Sequence, residues 1–499
     1  MLEHLFSGML FVFQPVNFSY MLFGVIMGII IGALPGMTGS MGIILLLPLV
    51  YRLPSDTAMV MICGLYCSSM YGGSVSAILL RTPGTPSAAA TVLDGYPLGQ
   101  KGFAGKAIGM AATASFFGGL LSTLCLILIA PELSKVALEF HAADYFSLSI
   151  FGLTIMASAS GKNMHKGLMS GVIGLLVSTV GIDPILGMER FTFGNLNLMN
   201  GFPMLPVLIG VFAVSEVLFQ ATVDKKDVVV VEQDIKNIVP SVSEMRSCFM
   251  AALVGGVIGV LIGIVPGTGG AISCFLAYNV VQKLSKHPEK FGTGCLEGIA
   301  APESSNNATT GGALIPMLTL GIPGDVVTSV MLGALVLIGI KPGPMLFVEN
   351  VSIIYAIFSG MIVIQFLMLF LGLGFAKVAP HVLKVPHGII MPMVLVFCVV
   401  GAFSLANQLY HVNIALIFGV IGLFMKKYGY PGAPLVLGII LGPMAEENLN
   451  RAITLSRGDW SILFTRPISA AFLVISALSI SFAMYSAYRA SKKAKSEKS

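Results

Sequence analysis

Four stretches of this 499-residue chain place ion-binding groups beside residues that break helices. Pro35-Gly36 precedes Thr38-Gly39-Ser40, and Pro266-Gly267 precedes Thr268-Gly269-Gly270. Proline lacks the N–H and clashes with the preceding turn, while glycine can adopt a positive φ, so each pair interrupts a helix. A half-helix restarting there offers unpaired N–H groups and a positive dipole end to an anion, with hydroxyls as added donors. The third stretch carries Ser69, Gly72 and Gly73 and runs on to Thr82-Pro83-Gly84; the fourth carries Glu303, Ser305, Asn306, Asn307, Thr309 and Thr310 and runs on to Pro323-Gly324. Such amides and hydroxyls ligate a carboxylate, and with freed carbonyls they coordinate a small hard cation such as Na⁺. The two Pro-Gly tracts, with Ser305, Asn306 and Asn307, are therefore expected to bind substrate. Ser69, Gly72, Gly73, Thr82, Pro83, Gly84, Glu303, Thr309, Thr310, Pro323 and Gly324 are expected to couple an ion, Na⁺ or a proton. Glu303 is the leading acid.

Plainer readings stand beside these. The Pro-Gly pairs can be kinks in a glycine packing face, and Glu303 with the two asparagines can lie on a short polar loop. Arg81 can neutralise an anion or anchor at an interface. Asp94 and Asp325 fit helix N-caps better than cation ligands. The seven cysteines form no CxxC; Cys63 and Cys67 share a helical face but read as packing residues. The histidines are scattered, so no metal cluster or cofactor is expected. GIVPGTGGA lacks the Gly-Lys-Ser/Thr ending of a phosphate loop, so an ATP motor is not indicated.

The elements that hold these residues follow from composition. Lys and Arg number 28 and Asp and Glu 23, only 10% of the chain against roughly 25% in soluble domains. Hydrophobic residues make up 56% and the mean hydropathy is +0.91. A soluble enzyme, disordered regulator or nucleic-acid binder would need a solvated surface that this chain lacks. Continuous apolar runs at 20–34, 107–130, 145–159, 166–181, 203–219, 247–265, 351–376, 388–405, 410–425 and 467–487 suit helices that cross a bilayer. Tracts at 38–50, 57–80, 270–282, 308–340 and 431–444 read as short or broken. The expectation is an all-α polytopic membrane protein with roughly 10–14 membrane segments, not a β-barrel, whose strands would alternate.

The chain also repeats itself. Glycines at 24, 28, 32 and 36 recur at 255, 259, 263 and 267, and Pro35 recurs as Pro266. Pro83-Gly84 recurs as Pro323-Gly324, and Gly171-Val172-Ile173-Gly174-Leu175 recurs as Gly419 to Leu423. The expected organisation is an N-terminal segment 1–19, a first repeat 20–220, a polar cytoplasmic linker 221–246, a second repeat 247–460, a final membrane helix 461–488 and a basic cytoplasmic tail 489–499. Lys and Arg mark cytoplasmic loops. Lys426-Lys427 and Lys377 with Lys384 fall on the side of the basic tail, whereas their first-half counterparts show the reverse polarity. The repeats therefore read as inverted, with an outside N-terminus, a cytoplasmic C-terminus and no removable signal peptide.

Inverted repeats with broken helices mark secondary transporters, whose site lies near the midplane. A membrane-embedded enzyme would need a base, nucleophile or metal constellation that the sequence does not offer; a passive channel is permitted by the broken helices. GALPGMTGSMG, YGGSVSAILLRTPGTPSAAATVLDGYPL, GIVPGTGGA, APESSNNATTGGALIPMLTLGIPGD and the KPGP turn at 341–344 resemble the tripartite tricarboxylate transporters, specifically their TctA-type large membrane subunit, over essentially the whole chain. That resemblance implies a permease of the bacterial inner membrane importing citrate-like tricarboxylates or related carboxylates by ion symport. It also implies two partners, a small TctB-type membrane subunit and a periplasmic TctC-type binding protein. A stand-alone ion-coupled carboxylate transporter of another family is the alternative. With so few charges near the breaks, uncharged donors would have to make most contacts to an anion.

Overall fold

The computed structural model describes residues 2–158, 164–183, 185, 187–222, 237–385 and 387–496. Most of the predicted polar linker 221–246, Lys162 and the last residues of the basic tail lie outside them. The first half runs α1 (Leu2–Val12), α2 (Pro15–Ala33), α3 (Gly39–Val50), α4 (Ser55–Leu80), α5 (Val92–Leu98), α6 (Ala104–Leu138), α7 (Ala142–Ser158), α8 (Met164–Ser178), the two-residue strands β1 (Gly181–Ile182) and β2 (Glu189–Arg190), α9 (Met204–Leu208) and α10 (Ser215–Thr222). The second runs α11 (Val242–Ile264), α12 (Gly269–Leu284), α13 (Glu297–Leu320), α14 (Val326–Leu337), α15 (Leu346–Glu349), α16 (Val351–Phe375), α17 (Ala379–Val382), α18 (His387–Ser404), α19 (Leu409–Lys427), α20 (Gly432–Leu455), α21 (Ile462–Thr465) and α22 (Pro467–Ser496). Seven helical segments among the described residues are long and apolar enough to cross a membrane, and seven shorter ones are apolar. This is an all-α multi-pass membrane protein.

The chain divides into two units, and each half contributes to both. One unit comprises 1–134 with 220–405, the other 135–219 with 406–499.

The first unit is organised by the glycine stripes. A Cβ on Gly24, Gly28 or Gly32 of α2 would strike the carbonyl oxygen of Met61, Leu65 or Ser69 on α4, respectively. One on Gly255, Gly259 or Gly263 of α11 would strike that of Ala301, Ser305 or Thr309 on α13. The two sets of contacts match position for position between the repeats. Numbers rise together on both partners, so α2 runs parallel to α4, and α11 to α13. Parallel neighbours need a return connection, which α3 and α12 supply. Each half therefore forms a helical hairpin whose tip is the Pro-Gly break. At about 1.5 Å per residue, the 12 residues of α3 reach back only about 18 Å, less than a bilayer's hydrocarbon thickness of about 30 Å.

Against expectation, the tract 57–80 lies within one unbroken helix of 26 residues, buried almost throughout. Its counterpart α13 likewise carries the polar run 302–312 inside a buried helix, which removes the surface-loop alternative for Glu303 and its asparagines. Every polar side chain of that run is covered by protein, which is why the helix persists despite its low apolar content. The two central helices touch at Cys67 with Thr310 (3.6 Å) and at Met70 O with Asn306 (3.1 Å). One numbering rises as the other falls, so α4 and α13 run antiparallel. Each is flanked by a helix of the other half: Gly118 of α6 abuts Ser304 O, and Gly360 of α16 abuts Val60.

The second unit repeats the logic. Gly174 of α8 lies on Leu435 O of α20, and its sequence counterpart Gly422 of α19 lies on Ser215 and Val211 O. Arg190 pairs with Glu446 and Asp183, Lys426 with Glu216, and Arg466 with the buried Asp144.

Candidate functional site

In the first unit the hairpin tips lie deep along the central helices. α2 ends at Ala33 and α3 restarts at Gly39, with Gly36 between them at φ +83°. α11 ends at Ile264 and α12 restarts at Gly269, with Gly267 at φ +79° and Gly269 at +65°. Only glycine tolerates such angles cheaply, so both breaks are written into the sequence. A Cβ on Gly39 would meet Ser69 Oγ, near the middle of α4, and then Val327 Cγ2 at 3.6 Å. One on Gly270 would lie 2.9 Å from Ser87 Cβ and 3.3 Å from Asn306 Oδ1, well inside α13; one on Gly269 would lie 3.8 Å from Asp325 Cβ. The N-termini of α3, α12 and α14 thus converge on residues 325–327.

The second breaks complete the arrangement. α4 ends at Arg81, which is left-handed at φ 58°, exposed, and stacked over Tyr96 at 5.7 Å. Gly84 donates its N–H to Gly73 O (3.1 Å) and packs beneath Gly32 O. In the second half Gly267 donates to Gly324 O (2.7 Å), locking the hairpin tip to the following break. The 3-10 turn Pro86–Ala89 then packs on α12, and α14 on α3, so each half's second break faces the other half's hairpin.

The hydrogen-bond groups at the two tips differ. Thr38 caps α3, its Oγ1 accepting from Met41 N (3.4 Å) and lying 2.8 Å from Ser40 Oγ. Thr268 makes no such cap: its hydroxyl donates to Ile262 O (2.6 Å) and Val265 O (2.8 Å), carbonyls that the break leaves with only a tight-turn backbone donor each. The first N–H groups of α12 therefore lack a side-chain cap, and the Oδ1 of the fully buried Asn306 beside them has no partner. Ser68 and Ser305, in the adjoining turns, also carry unpartnered hydroxyls. Asp325 caps α14 through Thr328 N (2.7 Å) and accepts from Tyr66 Oη (2.6 Å). Asp94 accepts from the N–H groups of Gly292, Gly294 and Cys295 and from Tyr278 Oη, seating the chain that leads into α13.

Thr268→Val removes the donor from Ile262 O and Val265 O. One hydroxyl proton shared by the two carbonyls is worth roughly 0.5–1.5 kcal/mol, so the melting temperature should fall by about one degree. Thr268→Ser should restore it. Equal melting of the Thr268→Val and Thr268→Ser proteins would show that the hydroxyl does not hold the break.

The family model described as the tripartite tricarboxylate transporter TctA family matches residues 18–437. The chain belongs to that family. It is similar to an uncharacterised 52.8 kDa protein in the TAR-I ttuC′ 3′ region of Agrobacterium vitis, 37% identical over 478 residues, which is 96% of this chain and 95% of that protein. It is also similar to an uncharacterised protein in the TAR-II ttuC′ 3′ region of Agrobacterium vitis, 35% identical over 234 residues, 47% of this chain and 97% of the relative. No solved structure matches significantly. As a TctA-family member the chain is a transporter subunit and not an enzyme, and the systems of this family are tripartite.

Within this TctA fold the residues singled out from sequence separate into groups. Pro35, Gly36, Thr38, Gly39, Ser40 and Ser69 gather at the first tip. Pro266, Gly267, Thr268, Gly269, Gly270, Asn306, Pro323 and Gly324 gather at the second. Gly72 and Gly73 serve close packing, Gly72 on Ile29 O and Gly73 on Thr85. Thr82 donates to Leu80 O, beside Pro83 and Gly84 at the end of α4. Thr309 and Thr310 donate within α13, to Ser305 O (2.9 Å) and Asn307 O (2.6 Å). Asn307 is fully buried with both side-chain polar atoms unpartnered, and Glu303 forms a separate cluster. Sequence reading missed Tyr66, Ser87, Thr91 and Ser115. Tyr66 and Ser115 stand in apolar helices, and Ser87 and Thr91 in the turns before α5, with no spacing that marks them.

Proposed function

We propose that this chain is the permease through which a tripartite system imports a citrate-like tricarboxylate or related carboxylate, driven by a Na⁺ or proton gradient through alternating access. The observation that carries this reading is the uncapped, partly covered N-terminus of α12, beside the unpartnered Oδ1 of the buried Asn306 and converging with the N-termini of α3 and α14. The end of α12 provides partial positive charge without a basic side chain, the arrangement that the scarcity of charge requires, whereas Thr38 caps α3 and Asp325 caps α14. Gly36, Thr38, Gly267, Thr268 and Gly269 are only partly covered, so the tips can be reached. The inverted repeat gives the site two related faces, and exchange of their packing opens it to alternate sides. We place the chain in the bacterial inner membrane, N-terminus outside and C-terminus in the cytoplasm, with TctB-type and TctC-type partners. Vesicles holding this chain and its two partners provide the test. Citrate accumulation above equilibration, dependent on an imposed Na⁺ or proton gradient, supports the reading. Citrate entry that never exceeds equilibration identifies a pore instead.

A further inference from the structure

Glu303 lies outside the hairpin tips, in a cluster of its own, and is fully buried. Its Oε1 accepts from Thr91 Oγ1, and its Oε2 accepts from Ser115 Oγ at 3.1 Å. Ser74 also lies beside the carboxyl, completely enclosed, its hydroxyl making no hydrogen bond of good geometry. The four residues come from α4, the turn before α5, α6 and α13, so both halves build the cluster. None of the ion pairs found among the described residues involves Glu303.

An ionised carboxylate enclosed in a membrane protein needs a neutralising partner. A carboxylate and three hydroxyls offer four or five hard oxygen ligands with no nitrogen or sulfur, a set suited to hard cations. One negative charge balances one positive charge, which selects a monovalent ion over a divalent one. A bound proton would need only one acceptor hydroxyl, whereas the cluster gathers three hydroxyl oxygens around one carboxylate. We propose that Glu303, Ser74, Thr91 and Ser115 form a dehydrated site for one Na⁺-sized monovalent cation. On binding, Thr91 and Ser115 give up their donation to the carboxylate, and all three hydroxyls turn lone pairs toward the ion. The position of Glu303 in the first repeat is held by Cys63, so the site exists once per chain, whereas the hairpin tips exist twice.

The proposal deepens the ion-driven reading above and rests on it, and it is tested without transport. The full-length chain in lipid nanodiscs should bind ²²Na⁺ saturably at one ion per chain, and should melt higher in NaCl than in choline chloride. Glu303→Gln should weaken that affinity at least tenfold, and Ser115→Ala, Thr91→Val and Ser74→Ala severalfold each. The hydroxyl variants keep the test open if Glu303→Gln does not fold. Absence of saturable Na⁺ binding to the wild-type chain overturns the site, as does wild-type Na⁺ affinity in all four variants. Stabilisation of the same samples by citrate reports on the hairpin tips. A citrate response without a Na⁺ response removes the cation site and leaves the carboxylate reading standing; Na⁺ binding without a citrate response does the opposite.

Discussion

Gly259→Leu is expected to leave no correctly folded protein, and Gly28→Leu should behave alike. In each case the first added carbon meets a backbone carbonyl, of Ser305 or of Leu65, rather than a mobile side-chain end. Neither α13 nor α4 can retreat, because both are buried on all sides. Overpacking in an adaptable core costs about 1–3 kcal/mol. Here two helix backbones must separate along their whole seam, so the loss should exceed that range. Gly374→Leu is a suitable control, since nothing stands within 4 Å of its Cβ position. Size-exclusion profiles of detergent-solubilised protein give the readout. A monodisperse Gly259→Leu protein melting within a few degrees of wild type would mean that the α11–α13 seam is not as close as described. The matched result for Gly28 also tests whether both repeats use the stripe in the same way.

Much of this architecture is legible in the order of residues alone. The fourfold glycine spacing, duplicated with its terminal Pro-Gly, marks two close helix seams and the two breaks that end them. The duplication itself separates a functional break from an ordinary kink. What the sequence hides is the environment of its polar runs. Ser68 to Ser74 and Pro302 to Gly312 look like interruptions, because hydropathy counts residue types and ignores burial against neighbouring helices. Both lie within unbroken helices, since enclosure by protein replaces the water that such groups would otherwise demand. Thr268 illustrates a second limit. Its position after Pro-Gly suggests a donor to substrate, yet the break frees two carbonyls nearer to hand and they take the hydroxyl. Thr91, Ser115 and Ser74 show a third. Ser and Thr satisfy themselves on carbonyls of their own helix throughout such proteins, so only the fold reveals three of them aimed at one acid.

The second large effect is expected from Asn306→Asp. The substitution preserves side-chain size and places a carboxylate beside the uncapped N-terminus of α12, where an incoming substrate carboxylate would bind. Two like charges about 4 Å apart repel by about 4 kcal/mol at an effective dielectric constant near 20. The added charge also interacts favourably with the helix end that the substrate would otherwise use, so the free N–H groups become capped from within. Taking half of the repulsion as lost to relaxation, citrate affinity should still fall at least about thirtyfold, at 1.4 kcal/mol per tenfold. The folded protein should lose some stability, because the new carboxylate cannot donate to Met70 O and faces that carbonyl instead, while the helix N-terminus offsets part of the loss. Asn306→Ala, which loses the same donor to Met70 O, separates the added charge from damage to the core. Asn306→Ala removes the amide without adding charge and should weaken citrate binding less than Asp does. Its melting temperature should drop, because Met70 O loses its donor. Citrate binding equally strong in wild-type and Asn306→Asp protein would move the carboxylate site away from the second hairpin tip, leaving the first tip, at Thr38 and Ser40, to hold the anion.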